Sequence, residues 1–424
     1  MEPLLACSLF ALAVVGSSAF WITFLNRTHG LGVWRPLVHG CSGLALLGFL
    51  GGPLVLLVAA LAASPAIAAY LPTSIISLLA HATGSWAAVA AQSYALACLL
   101  VALGPFPWWI VSRRLRRDPA QLRSLRIESF DFARQRSGQS LAHGFSRFAV
   151  QLPGNEVFQV EVNLKTLALA QLPPRLEGLS ISHLSDLHMS GRISIDFFHE
   201  MVDRTNALSP DLVAITGDIV DASKCLDWIV PTLSRLNAPL GVYGVLGNHD
   251  VCVDLETLRT KLAAAGVTNL GGRTRRLEVA GETIVLTGNE LPWIPPTTDA
   301  SEQSGTNEPA DALRILLSHS PDQIGWARRR RYDLMLAGHT HGGQIQFPFF
   351  GAVLAPSIFG TRYASGLFYE APTLMHVSRG VSGLTPVRYN CRPEIALLRL
   401  VGSNTMPCSN DATPDTEEAM ATGS

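Results

Sequence analysis

The chain has 424 residues, 48% of them hydrophobic and only 15% charged, with a formal net charge of -1. Soluble domains typically carry about 25% charge, so part of this chain is not in water, and the near-zero net charge argues against a nucleic-acid binder. Seven cysteines without a C-x-x-C pair exclude a disulfide framework and a thiolate zinc knuckle, and fit a reducing compartment.

Residues 4–25, LLACSLFALAVVGSSAFWITFL, carry no charge and are long enough to cross a bilayer, which takes roughly 20 residues. No basic stretch precedes them, as a signal peptide would require. From Pro36 to Ser112 there is no Asp, Glu, Lys or Arg, which predicts spans over 37–62 and 86–110, with PTSIISLLAHATGS as a turn or surface-lying piece between them. Arg27 and Arg35 lie in the first loop, and eight arginines crowd residues 113–136. Both basic segments are expected to face the cytoplasm, so an even number of spans separates them. The expected topology is N-terminus outside, an all-helical transmembrane region over 1–112, and everything later inside the cytoplasmic (inner) membrane. The arginines serve as a stop-transfer flank and would also favour anionic headgroups.

Residues 113–155 read as an Arg-rich, partly helical connector. From 156 to 401 strand-like runs alternate with helix-like ones: LEGLSISHLSD, then SIDFFHEMVDRTNAL, DLVAITGD, CLDWIVPTLSRL, GVYGVLGNHD and LETLRTKLAAAG. RTRRLEVAGETIVLTG reads as a hairpin turning at Gly281, and PPTTDASEQSGTNEPAD as a mobile loop. LRILLSHS, PDQIGWARRRR, YDLMLAGHTH and PEIALLRL complete an α/β layered domain. The tail 402–424 is acidic, polar and expected to be disordered.

Polar residues cluster at the ends of the predicted strands. Asp186 and His188 follow the first, Asp218 the second, and Asn248, His249 and Asp250 the third. His319 follows a later one, and His339 and His341 the last. Loops at the carboxyl edge of an α/β sheet converge on one crevice, so residues distant in sequence can meet there. Gly217, Gly247 and Gly338 precede them, letting the backbone turn and approach closely. Carboxylate, amide and imidazole donors without thiolate suit manganese, iron or zinc. Their number exceeds the need of one ion, and two ions about 3.5–4 Å apart bridged by a carboxylate would use them. Alternate residues of an extended segment point the same way, so His339 and His341 could each serve one ion.

DLH, GD, GNHD, SH and GHTH together resemble the signature of the calcineurin-like metallophosphoesterases. GGQI, YASGLF, VSRG and RPEI resemble the membrane-anchored bacterial branch of that family. The resemblance spans roughly 156–401 and implies a four-layer α/β/β/α sandwich. It implies that Asp186, His188 and His341 hold one divalent metal, that Asn248, His319 and His339 hold the other, and that Asp218 bridges them. It further implies that His249 contacts the phosphate and assists the leaving group, oriented by Asp250.

Other residues carry plainer expectations. Asp221 reads as a helix N-cap or a residue behind the metal ligands. His183 reads as a packed strand histidine, His376 as core or pocket lining, and His199 as a helix-face residue. Asn289 and Glu290 read as a turn or a substrate contact. The arginines 328–331 suit a helix C-terminus, while Arg379 and Arg388 are left open. The expected function is hydrolysis of a phosphodiester or pyrophosphate bond, in a phospholipid, a nucleotide-linked lipid or a soluble ester, by a metal-activated hydroxide. The expected partners are this phosphate ester and the membrane; no oligomeric state is assigned. A ligand-binding signalling or scaffold protein with a phosphoesterase-like domain is the alternative. A transporter is disfavoured, because the spans offer no ionisable pathway.

Overall fold

The computed structural model describes residues 3–32, 35–63, 85–136, 141–296, 311–383 and 385–403. Among the described residues three stretches are long and apolar enough to cross a membrane: Cys7–Gly30, Pro36–Leu57 and Val89–Arg114. The third is built from two helices, Ser85–Leu103 and Pro105–Arg114, divided at Gly104. Pro105 lacks the N–H that would continue the first helix and starts the second with its fixed φ. Ser17 Oγ lies 2.6 Å from Tyr94 Oη, which also accepts from Trp21 Nε1 at 3.0 Å, so the first and third spans share a polar contact. The segment expected to turn between the second and third spans falls, up to residue 84, outside the described residues.

Among the described residues two large sheets follow, with a small two-stranded one pairing Gln346–Phe347 with Gly351–Ala352. The first runs, in spatial order, Leu122–Asp131, Gln159–Leu169, Glu394–Gly402, Ser180–Leu184, Leu212–Thr216, Val242–Val245 and Val267–Asn269. The second runs Gly366–Glu370, Thr373–Val377, Leu334–Ala337, Leu313–Ser318, Glu282–Asn289 and Thr274–Val279. Side chains alternate across each strand. Leu212 and Ala214 therefore enter the apolar layer between the sheets, while Val213 and Ile215 pack under the helices Ile195–Ala207 and Leu255–Ala264. On the second sheet Leu334 and Leu336 face inward, while Met335 and Ala337 meet the helix Ile324–Arg329. Both faces of the central strands of both sheets are covered, which explains their continuous apolar runs and gives the expected α/β/β/α order.

The structure differs from expectation in the segment 113–155. Leu122–Asp131 is an edge strand, paired antiparallel with Gln159–Leu169 from Leu122↔Leu167 to Asp131↔Gln159. Phe132, just beyond it, is fully buried in the helix-side core. The sheet therefore begins well before residue 156. The hairpin turns at Ala280–Gly281, both with positive φ, as a two-residue turn of this hand requires. Residues 297–310 of the expected loop and 404–424 of the expected tail lie outside the described residues.

The spans meet the rest of the chain at the loop that follows His341 and, from Gly32, at Pro292. Asn26, near the end of the first span, donates to Val353 O at 2.9 Å and accepts from Ala355 N at 3.0 Å. Trp109, in the third, donates to Thr361 Oγ1 at 3.0 Å. The ends of the first and third spans thus lie on the same side, against the segment that follows His341.

Candidate metal centre

Strands Ser180–Leu184, Leu212–Thr216, Val242–Val245, Leu313–Ser318 and Leu334–Ala337 all end at one edge, where the polar clusters emerge. Asp186, His188, Asp218 and His341 offer ligand atoms within 4.8 Å of one another, and so do Asp218, His319 and His339. Asp218 belongs to both groups: its Oδ2 is 3.6 Å from His188 Nε2 and 3.2 Å from His319 Nε2. Asn248 joins the second group, with Oδ1 3.1 Å from His319 Nε2. The structure thus gathers all seven residues expected to bind metal.

The backbone is bent to do so. Asp186, His188, Asp218, His339 and His341 all have φ between 49° and 72°. Each such residue costs of order 1–3 kcal/mol and persists only where its surroundings enforce it. Gly217 has φ 85°, and a Cβ there would lie 2.6 Å from His319 Nδ1. A Cβ at Gly338 would lie 1.8 Å from Ser185 Oγ and 2.5 Å from Asp186 Oδ2. Both backbones pass the site too closely for a side chain.

Three imidazoles are held by Nδ1. His188 Nδ1 lies 2.8 Å from Asp221 Oδ1, His319 Nδ1 2.7 Å from Thr216 O, and His341 Nδ1 3.3 Å from Ser382 O. An acceptor at Nδ1 fixes the proton there and leaves Nε2 with a lone pair. The Nε2 atoms of His188 and His341 face each other at 3.0 Å. His339 is 4% exposed, and among the described residues neither ring nitrogen meets a hydrogen-bond partner of good geometry. A buried imidazole in that condition calls for a partner, and a cation beside Asp218 and His319 would supply it. On this ground the residues fit a pair of divalent ions.

The electrostatics match. Burial and the nearby His319 push His339 well below its ordinary pKa, which keeps the lone pair of one ring nitrogen free. Burial also lowers His341, to about 3. Burial opposes charge on His319 and His188 too, but Asp218 beside the first and the hydrogen bond that the second donates to Asp221 raise each to about 9. Without cations, protons on those two rings balance the carboxylates.

Asp250 is not where the resemblance implied. Its Oδ1 accepts from Ile219 N at 2.8 Å and Val220 N at 3.0 Å, and its Oδ2 from Gly247 N at 2.8 Å. The carboxylate beside the imidazole of His249 is Asp221, with Oδ1 3.2 Å from Nδ1. Asp221 makes no helix N-cap; the short helix Ser223–Trp228 is preceded by Ala222. Burial opposes its charge, but hydrogen bonds from His188 and His249 hold Asp221 well below the usual carboxylate range.

The remaining expectations resolve as structure. His183 and His376 are fully buried between the sheets, with their Nδ1 atoms 2.8 Å apart. Glu290 accepts from Leu246 N, Asn269 and Arg259, and Asn289 accepts from Leu291 N, so both brace their loop. Arg379 pairs with Glu161 and Glu394. Arg388 is buried and donates to Ser382 O, the carbonyl that holds His341. Arg330 stacks over Trp326, 4.2 Å from the ring centre. His199 sits half-buried on the helix Ile195–Ala207.

The sequence model of the calcineurin-like phosphoesterase family matches residues 179–343. The chain is 30% identical over 278 residues to the uncharacterized metallophosphoesterase YkuE of Bacillus subtilis (strain 168), covering 62% of this chain and 91% of that protein. It is 32% identical over 231 residues to the phosphodiesterase YaeI of Escherichia coli (strain K12), covering 52% and 82%. It is 28% identical over 276 residues to the UDP-2,3-diacylglucosamine pyrophosphatase LpxG of Chlamydia trachomatis (serovar D), covering 53% and 84%.

Proposed function

Because the chain belongs to the calcineurin-like metallophosphoesterase family, we propose that it cleaves a phosphodiester or pyrophosphate bond in a lipid-linked substrate at the cytoplasmic face of the inner membrane. The observation that carries the chemistry is the shared carboxylate of Asp218, within reach of His188 on one side and His319 on the other. In this reading Asp186, His188 and His341 hold one divalent ion, Asn248, His319 and His339 the other, and Asp218 both. Two such ions, manganese, iron or zinc, would acidify a water and neutralise phosphate oxygens.

The chain's own residues then divide the work. Asp221 accepts at His249 Nδ1 and turns Nε2 outward, where the side chain is 26% exposed. From the imidazolium, Nε2 gives its proton to the departing oxygen, and a neutral imidazole remains. The backbone N–H of His249 donates to Asp218 Oδ1 at 2.7 Å, which ties this loop to the shared carboxylate. Asp250 holds the loop from behind.

The lipid part of the reading rests on the three apolar spans and on the relative named for a diacylglucosamine nucleotide. The cytoplasmic orientation rests on the basic residues Arg27 and Arg35 and the cluster from Arg113, which flank span ends on one side. In this reading the catalytic domain starts with the strand at Leu122.

The test is hydrolysis of bis-p-nitrophenyl phosphate and a panel of lipid and nucleotide phosphodiesters by the full chain with manganese, against Asp218→Ala. Wild type should turn over at least one substrate, and Asp218→Ala should lose bound metal and activity together. A wild-type protein that binds metal yet cleaves none of them would favour the ligand-binding alternative.

A further inference from the structure

The described cavities include one of about 290 Å³ at the junction of the third span and the second sheet, lined by Arg113, Arg116, Arg117, Asp118, Gln346 and Ser365 among others. Three of these side chains are cations and one is an anion, so the lining is net positive. Arg113 Nη1 donates to Ala352 O at 2.7 Å and to Thr361 Oγ1 at 2.8 Å. Arg116 Nη2 donates to Leu367 O at 3.1 Å, and its guanidinium lies 3.8 Å from the centre of the Phe368 ring. Neutral acceptors and aromatic faces thus hold both groups in place. Among the described residues none of the three arginines makes an ion pair with a carboxylate. A fixed guanidinium fork without a carboxylate partner is suited to phosphate.

The same cavity lies between the turn that follows His341 and the ends of the spans. Gln346 Nε2 donates to Gly342 O at 2.8 Å, in the turn that begins with His341. Next to it, the loop after that turn carries exposed apolar side chains: Phe347, Phe349, Phe350, Leu354, Ile358 and Phe359. Phe349 is 81% exposed. Such a concentration on one loop would be poorly placed in water. It lies where the first and third spans end, fastened by Asn26 and Trp109. Exposed Phe, Leu and Ile side chains beside the ends of spans are placed to dip into the headgroup–acyl boundary.

We propose that this arginine cavity binds the phosphate of an anionic membrane phospholipid, whose acyl chains lie along the third span and the aromatic loop. The proposal rests on the reading of the apolar helices as membrane spans. It deepens the proposed function by fixing the mouth of the metal centre at the headgroup plane. The lipid, rather than a free phosphate ester, is the occupant because the apolar loop borders the cavity on the membrane side.

The full chain in neutral detergent is titrated with short-chain phosphatidylglycerol, short-chain phosphatidylcholine and glycerol 1-phosphate. Phosphatidylglycerol should bind, and the other two should bind far more weakly. Arg113→Gln with Arg117→Gln should weaken phosphatidylglycerol about fivefold for each arginine removed. Arg117→Gln alone, at an exposed side chain, guards against misfolding and should weaken it about fivefold. Unchanged affinity in both variants, or equal binding of phosphatidylcholine, overturns the site. Glycerol 1-phosphate binding as tightly as phosphatidylglycerol overturns its assignment to lipid. Hydrolysis of bis-p-nitrophenyl phosphate is followed in the same samples and should persist in these variants. If the metal-loaded wild type cleaves neither it nor any ester of the panel, the proposed function fails, while the binding data still judge the lipid site.

Discussion

Asp221 Oδ1 stands between two imidazoles, 2.8 Å from His188 Nδ1 and 3.2 Å from His249 Nδ1. One oxygen thereby fixes the tautomer of a candidate metal ligand and the direction of a candidate proton donor. Asp221→Asn keeps the shape but offers an amide in place of the carboxylate. Groups that orient metal ligands typically contribute 10–100-fold, so kcat should fall by about that factor, with metal affinity reduced as well. Metal content and steady-state kinetics at saturating manganese separate the two effects. If both match wild type, the shared-oxygen geometry does not matter to turnover.

Asp250 should behave differently. Its carboxylate collects three backbone N–H groups from two loops. Asp250→Asn can supply only one acceptor oxygen, which leaves a buried donor unpaired at a cost of about 1–3 kcal/mol. The expected signature is a lower unfolding midpoint, with kcat per folded molecule reduced less than in Asp221→Asn. A kcat loss larger than that of Asp221→Asn, with an unchanged midpoint, would return Asp250 to the role implied by the resemblance.

Gly338→Ala tests the close approach directly. The new Cβ would sit 1.8 Å from Ser185 Oγ and 2.5 Å from Asp186 Oδ2, on two side chains already hydrogen-bonded to each other. Overpacking at such a place costs about 1–3 kcal/mol and must displace the carboxylate of Asp186. Bound metal, read by elemental analysis, should drop along with the unfolding midpoint. Retention of full metal stoichiometry would mean that the strand end can shift without disturbing the ligands.

Between the sheets, the inward positions of four strands carry Lys165, Glu394, His376 and His183 rather than apolar groups. Lys165 Nζ lies 2.6 Å from Glu394 Oε1 and 2.7 Å from His376 Nε2. Removing one partner of a buried pair leaves the other charge stranded, so Lys165→Met should cost about 3 kcal/mol. Adding Glu394→Gln should recover much of that loss. Denaturant unfolding of the two variants measures it, and a single variant as stable as wild type would show that Arg379 alone satisfies Glu394.

Much of this architecture is visible in the sequence because strand ends carry the polar clusters, and a sheet edge brings strand ends together whatever their separation. The spans are visible because bilayer thickness demands long uncharged runs. The strand Leu122–Asp131 was hidden because it is an edge strand exposed over most of its length, with arginines on it, so neither face carries an apolar alternation. Asp221 was legible in part, as an N-cap or a residue behind the metal ligands, but its role at His249 was not. Its value depends on two imidazoles from other loops, and spacing within GDIVD says nothing about them. Asp250 took its orienting role from the resemblance, yet consecutive residues in a tight turn diverge, and its carboxylate faces the backbone behind the loop.

The final prediction concerns protons and metal. In the metal-free chain His188 and His319 hold their protons up to about pH 9, each against burial, through Asp221 and Asp218 respectively. A cation needs Nε2 unprotonated, so it must displace those protons. The sign follows: these rings are protonated below about 9, so metal affinity should weaken as pH falls and level off above that value. Each displaced proton contributes about tenfold per pH unit. Calorimetric titration of the metal-free chain in buffers of different ionisation enthalpy should show proton release on binding. Trp293 gives a second readout, because its ring centre lies 4.7 Å from that of His339 and 5.6 Å from that of His319. Its fluorescence should change on metal addition, and that change should vanish in Trp293→Phe. A metal affinity that is flat from pH 6 to pH 9 would mean that these two rings carry no protons for a cation to displace.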